Sequence, residues 1–167
     1  VGTPQGGLIS PILANVYLHY VLDLWFEKCI KKQLYGKAYL VRFADDFLIM
    51  FQYERDAQRV YEAIIRRMEL FGLELSKEKT RILPFGRNCG TRETFDFLGF
   101  THFNSKTRKG YYSVGHKISR KKKKQFKSNL KKWVKENRTT QIDEFMKTLN
   151  KKLTGSFNYY SLSGMIK

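Results

Sequence analysis

The 167 residues suffice for one domain with a buried core, or for a core and a small helical appendage. A formal charge of +17 points to a polyanionic partner, and an aromatic content of 15% argues against disorder, because that much Phe and Tyr can bury the apolar surface folding needs. Cys29 and Cys89 lie far apart with no second Cys or His at ligand spacing, which excludes a zinc site or disulfide framework and fits a reducing compartment. The charge is unevenly spread. Residues 1–103 carry 14 Lys and Arg against 12 Asp and Glu, net +2, whereas 104–167 carry 18 against 3, net +15. A nearly neutral body suited to chemistry is followed by a basic arm suited to phosphate contacts.

Residues 1–11 begin as a glycine-rich loop in which Gly2, Gly6 and Gly7 let the backbone approach a ligand, although a plain loop before a helix has the same composition. Ser10 is placed as an N-cap and Pro11 at the first helical position. The helix that follows is apolar around most of its circumference through Phe26 and turns basic at Lys28, Lys31 and Lys32. Asn15, His19 and Asp23 interrupt it, so residues 8–26 read as a buried core helix and not as a membrane span. His19 reads as a structural residue. No signal peptide is visible, and the chain opens at Val1 in what reads as the middle of a motif, so it is expected to be a piece of something longer.

Residues 39–51, Tyr-Leu-Val-Arg-Phe-Ala-Asp-Asp-Phe-Leu-Ile-Met-Phe, place Val41, Phe43, Phe47, Ile49 and Phe51 at period two around Ala44, Asp45 and Asp46. They predict two strands joined by a turn. Two adjacent carboxylates beside apolar strands that a fold should bury repel each other and lose hydration unless a cation neutralises them. Hard oxygen ligands of this kind suit Mg²⁺. Taken alone, a solvated turn also carries Asp.

Residues 54–71 hold Ala57, Val60, Tyr61, Ile64, Ile65, Met68 and Phe71 at helical spacing, with Gly72 as the terminating glycine. Residues 73–83 are expected to run from a turn into a strand, with Lys77, Lys79 and Arg81 readable as surface charge. Residues 87–92 read as a flexible surface loop. Residues 95–103 read as a strand, a glycine pivot and a second strand, completed by 110–114 across a basic loop. Gly99 among bulky residues suggests a bulge or the close approach of another backbone.

From Lys117 the composition shifts. Arg120, Lys121, Lys122, Lys123 and Lys124 open a helix with Phe126, Leu130, Trp133 and Val134 on one side and Lys127, Lys131, Lys132 and Lys135 on the other. Thr139 or Thr140 is placed as the cap of a second helix with Ile142, Phe145, Met146, Leu149 and Leu153 inward, antiparallel to the first, before residues 155–160 interrupt with aromatics. A periodic basic helix beside aromatics reads as a nucleic-acid surface, the alternative being a solvated face.

Pro-Gln-Gly before a long helix, Phe-Ala-Asp-Asp in a hairpin, Leu-Ser-Lys-Glu-Lys-Thr after the next helix and then Phe-Leu-Gly-Phe closely resemble, in order and spacing, the palm of reverse transcriptases encoded by bacterial group II introns. Residues 1–103 are covered almost continuously. Phe43 stands where the family commonly has Tyr. The resemblance implies an α+β fold: a polymerase palm, an antiparallel sheet backed by helices, over 1–116, then the start of an α-helical thumb over 117–167. It implies RNA-templated DNA synthesis with two Mg²⁺ ions, in which a primer 3′-hydroxyl attacks the α-phosphate of a dNTP.

By the same resemblance Asp45 and Asp46 are metal ligands, and Gln5 and Gly6 lie beside the incoming nucleotide and template. Phe43 and Ala44 form the floor under the primer end. Lys79, with Lys77 close by, stands near the triphosphate and can donate a proton to pyrophosphate. Phe97, Leu98, Gly99 and Phe100 form the primer grip, and Arg120 with the lysines from Lys121 to Lys131 follows the nucleic-acid backbone. The implied partners are an RNA template, intron RNA, a DNA primer, dNTP and an upstream fingers and palm segment holding a third carboxylate, without which the chain alone is expected not to polymerise. No membrane partner is implied, and the location is the bacterial cytoplasm, in a ribonucleoprotein. A maturase that binds intron RNA during splicing is the alternative function, and an RNA-dependent RNA polymerase palm shares the carboxylate hairpin.

Overall fold

The computed structural model describes residues 9–76 and 78–161; Gln5, Gly6 and Lys77 lie outside them. The chain divides into two compact units, Val1–Pro84 and Phe85–Lys167.

In the first unit, α1 (Ser10–Leu18) runs on through wide π turns at His19–Asp23 and Phe26–Ile30 and closes in a 3₁₀ turn at Lys31–Gln33. Pro11 sits in the first turn as expected, but Ser10 is already helical. The capping position is Ile9, whose carbonyl accepts from the amides of both Ile12 and Leu13 at 3.0 Å. The expected core helix is buried only in its second half, where Val21, Leu22 and Phe26 lie within the wide turns. Ile12, Leu13 and Val16 are more than half exposed.

The predicted hairpin forms as β1 (Ala38–Phe43) and β2 (Asp46–Phe51), antiparallel, with Phe43 opposite Asp46 as the last pair before a two-residue loop. Its inner face packs Ala38, Leu40, Phe47, Ile49 and Phe51 against Val21, Leu22 and Phe26, and against Val60, Ile64 and Met68 of α2 (Glu54–Leu70). Tyr39, Val41, Phe43 and Met50 occupy the other face and are exposed. The strands are therefore buried on one side only.

Helix α2 ends as its sequence predicts. Gly72 has φ +67, its amide donates to the Glu69 carbonyl, and the Leu73 amide donates to Met68 at 2.8 Å, the paired bonds of a Schellman cap. Near the start of α2 the buried Asp56 carboxylate accepts from the amides of Tyr35 and Gly36, fixing the approach to β1. The strand expected within residues 73–83 does not form among the described residues. Leu73 and Leu75 do pack on the core in strand-like alternation, but with no partner strand the chain turns at Ser76, whose carbonyl accepts from Lys79 and Thr80.

The second unit is an antiparallel meander, β3 (Thr94–Phe97), β4 (Phe100–Lys106) and β5 (Tyr112–Ile118), followed by α3 (Arg120–Glu136) and α4 (Ile142–Tyr160). Ser119 caps α3 through its hydroxyl, which accepts from the Lys122 amide. Neither Thr139 nor Thr140 caps α4; Gln141 holds that position without a side-chain bond. The aromatic segment does not interrupt α4 either, and the helix passes through Gly155 to Tyr160. A mid-helix glycine costs only about 1 kcal/mol against alanine, and the aromatics gain partners: Tyr160 lies 5.6 Å from Phe100 and 4.8 Å from Tyr159 between ring centroids. Trp133 of α3 stacks on Phe145 of α4 at 5.0 Å, and a groove of about 480 Å³ runs between the helices from Phe126 to Tyr160.

Candidate active-site hairpin and nucleic-acid surface

The β1–β2 loop consists of Ala44 and Asp45. Ala44 has φ +53, whereas Asp45 is not in the left-handed region, the sign pattern of a type II′ turn. Glycine is the usual residue at that first position, and holding a residue with a Cβ there costs on the order of 1–3 kcal/mol.

Arg42 supports this loop. It stands on the inner face, opposite Phe47, with its side chain only 12% exposed. Its Nε and Nη2 donate to the two oxygens of Asp23 at 2.8 and 2.7 Å, and its Nη1 donates to Asn15 Oδ1 at 2.9 Å and to the Ala44 carbonyl at 2.8 Å. A planar guanidinium suits such a two-point grip on a carboxylate. The Arg42 hydrogen bonds hold the Asp23 carboxyl below its ordinary pKa against the opposing effect of burial, and Asp23 in turn raises that of Arg42. His19 Nδ1 lies 3.2 Å from Asp23 Oδ2, which makes His19 the structural residue its sequence context suggested.

Asp45 and Asp46 are both exposed, so the desolvation anticipated from the sequence does not occur within this unit. Among the described residues neither carboxylate makes a hydrogen bond or ion pair. Phe43, 65% exposed, projects on the same face as its partner Asp46. The register thus gathers Phe43, Ala44, Asp45 and Asp46 at one tip. Lys79 is exposed on the separate turn after α2 and bonds to neither carboxylate.

Among the described residues no cluster of three or more His, Cys, Asp or Glu is poised to hold an ion. Mg²⁺ is commonly held by one or two carboxylates, with water and substrate phosphates completing the shell. Two hard, unpartnered carboxylates fit that role.

In the second unit Phe97 pairs with Phe100 around a two-residue loop in which Leu98 has φ +51 and Gly99 φ +85, the signs of a type I′ turn. Gly99 therefore serves the turn. It is not a bulge, and within the protein a Cβ there would meet only the Lys122 side chain at 3.5 Å. The Gly99 carbonyl accepts from the Ser119 amide, so the loop abuts the start of α3. Arg120, Lys121, Lys122, Lys123, Lys124, Lys127 and Lys131 are all exposed. Arg120, Lys124, Lys127 and Lys131 recur at helical spacing along one line, away from the Phe126–Leu130–Trp133 stripe.

Ala44 and Leu98 are the two left-handed non-glycine residues among those described, and each lies in a hairpin loop singled out from sequence. Arg42 was not singled out, and Asn15 and Asp23 were noted only as polar interruptions of the apolar helix. The available signal was a charged residue at an inward position of an alternating apolar strand, which a fold tolerates only with a partner.

Residues 1–102, more than half of the chain, match the family model for Reverse transcriptase (RNA-dependent DNA polymerase). The chain belongs to the reverse transcriptase family. Residues 123–167 match a second model, Group II intron, maturase-specific domain. Together the two matches identify a group II intron-encoded reverse transcriptase/maturase, and the α+β architecture agrees with a palm and a helical thumb. The reverse transcriptase match takes in the carboxylate hairpin and the Leu98–Gly99 loop, and the maturase match takes in most of α3 and all of α4. No curated protein matches the chain. Among the described residues no helix is long and apolar enough to cross a membrane.

Proposed function

We propose that the chain carries the metal-binding hairpin of an RNA-directed DNA polymerase that extends a primer with dNTPs. The observation that supports this reading most is the pairing of Phe43 with Asp46, which sets two exposed, unpartnered carboxylates on a constrained loop. Asp45 and Asp46 would hold divalent Mg²⁺, which supplies positive charge for the primer hydroxyl and the triphosphate when bound. In the reaction the primer 3′-hydroxyl gives up its proton to solvent as its oxygen bonds to the α-phosphorus, the bond from that phosphorus to the bridging oxygen breaks, and pyrophosphate leaves. Phe43 and the small Ala44 offer an apolar floor for the primer end, Gln5 and Gly6 a place for the incoming nucleotide, and Lys79 a proton for the departing pyrophosphate.

The Phe97–Phe100 hairpin would grip the primer while the lysines of α3 follow the phosphates, with the palm ending near residue 116 and the thumb beginning at 117.

Primer extension on an RNA template by the protein that carries this chain tests the reading. Incorporation of dNTP in preference to NTP is expected, and Asp45→Ala or Asp46→Ala should each lower the rate by more than about 100-fold, beyond what loss of a supporting residue around a metal costs. Extension at the unaltered rate by either variant overturns it.

A second reading, intron RNA binding during splicing, is favoured by the maturase-specific match over residues 123–167 and the exposed basic side of α3. Splicing that survives Asp45→Ala and Asp46→Ala but is lost when Lys121–Lys124 are changed to Gln would support it.

A further inference from the structure

The β1–β2 loop can be closed by two related turns, which differ by a flip of the peptide plane between its two central residues. Both need a positive φ at the first residue. One of them, type I′, also needs it at the second. Ala44 meets the shared requirement at φ +53, and Asp45 is outside the left-handed region, so the flip state is defined. The group that turns over in such a flip is the Ala44 carbonyl, and that carbonyl accepts from Arg42 Nη1 at 2.8 Å. The guanidinium is in turn immobilised by both oxygens of Asp23 and by Asn15, on a helix whose following turns supply Phe26 to the core.

We propose that Arg42 is a positioning residue. Through the Ala44 carbonyl it sets the orientation of the Ala44–Asp45 peptide, and so the direction in which the Asp45 carboxylate leaves the backbone beside Asp46. The consequence for metal affinity rests on the assignment of those carboxylates as ligands; the consequence for loop geometry does not. An ion pair formed only for stability would be satisfied by Arg42 and Asp23 alone and would need no bond into the loop.

The decisive variants are Arg42→Lys, which keeps a cation for Asp23 but gives up the multi-pronged fork, and the exchange Arg42→Asp with Asp23→Arg, which restores opposite charges but leaves no donor at position 42 for the Ala44 carbonyl. In the metal-free chain, the coupling between the Asp45 amide and α protons reports its φ. In both variants that coupling should move toward the average of two turn forms, with exchange broadening at Ala44 and Asp45, while thermal unfolding shows the fold retained. Titration with Mn²⁺, read by paramagnetic broadening of the amides of residues 44–46, should require roughly 10-fold more ion than the unaltered chain, the usual cost of losing a group that orients a metal ligand.

Unchanged Asp45 coupling in folded Arg42→Lys and in the exchanged pair overturns the positioning role. If Asp45→Asn and Asp46→Asn leave the Mn²⁺ broadening unchanged, the metal assignment fails while the coupling result stands by itself. If Arg42→Lys does not fold, Asn15→Ala, which removes one brace of the same guanidinium, must shift the coupling in the same direction, and an unaltered coupling there also overturns the proposal.

Discussion

The Ser119 amide donates to the Gly99 carbonyl over 3.0 Å, so the residue that caps the basic helix α3 also fastens the β3–β4 loop. The same serine hydroxyl accepts from Lys122, whose side chain passes over the open side of Gly99. A glycine-bearing turn and the first turn of a lysine-rich helix are thereby held together within one unit.

Gly99→Ala should destabilise this unit by roughly 1–2 kcal/mol, the cost of placing a Cβ in a left-handed conformation. Crowding contributes little, because the nearest atoms belong to the flexible Lys122 side chain. Leu98→Gly relieves the same strain at the preceding position and should lie within about 0.5 kcal/mol of the unaltered chain. Urea unfolding followed by circular dichroism separates the two outcomes, and equal losses would contradict the turn assignment.

Acid should weaken the first unit through Asp23. Its carboxyl is held below the ordinary value by the Arg42 hydrogen bonds, so the unfolded chain takes up a proton at a higher pH than the folded one. The resulting stabilisation is fully present above the unfolded value near pH 3.9, and it is lost as pH falls below that toward the folded value. Asp23→Asn should remove this part of the acid dependence and lower stability at neutral pH, where the difference in urea midpoint between the two chains should be largest.

His102 gives the second unit a pH dependence in a different window. Burial lowers its pKa, with the neighbouring His116 adding to the effect and Asp96 and the Phe97 backbone opposing it; its ring also stacks on Phe95 at 5.0 Å. Below the unfolded value near 6.5 the unfolded chain binds a proton that the folded chain resists. Stability should therefore be level above that pH and fall as pH drops through it. Thermal unfolding between pH 5 and 7.5 should show the decline, and His102→Gln should flatten it.

RNA affinity should depend on salt through α3. Lys124→Gln, Lys127→Gln and Lys131→Gln together should reduce the slope of log affinity against log salt by about 2–3, close to one for each phosphate that is no longer neutralised. The weakening should be alike for unrelated RNA sequences, since binding to phosphates carries no base information. These side chains are exposed, so the folded state should change by no more than about 0.5 kcal/mol per substitution. Fluorescence anisotropy across a salt series supplies the slopes.

The carboxylate hairpin was legible because period-two apolarity on both sides of Ala44–Asp46 leaves one sensible register, and α2 because Gly72 marks its end. The residues at 95–103 announced a hairpin as well, and Gly99 supplies the backbone angle its turn requires. What sequence could not supply was the relation between elements distant along the chain. Leu73 and Leu75 alternate like a strand but meet no edge, and the first turns of the long helix are apolar without being buried. Arg42 looked like an ordinary charge within an apolar strand; its part in the loop depends on which side of the preceding helix faces it.

That facing is a matter of helical phase. At 3.6 residues per turn, Asn15 and Asp23 would point about 80° apart, yet one guanidinium reaches both. The wide turn at His19–Asp23 slows the winding between them and recovers part of that angle. Tightening this turn to ordinary α-helical winding over the same eight residues would rotate the upstream segment around its own axis, carrying Asn15 away from the guanidinium although every side chain named here was still present. The site's accuracy is thus vulnerable to a change in winding some twenty residues upstream of the acids themselves.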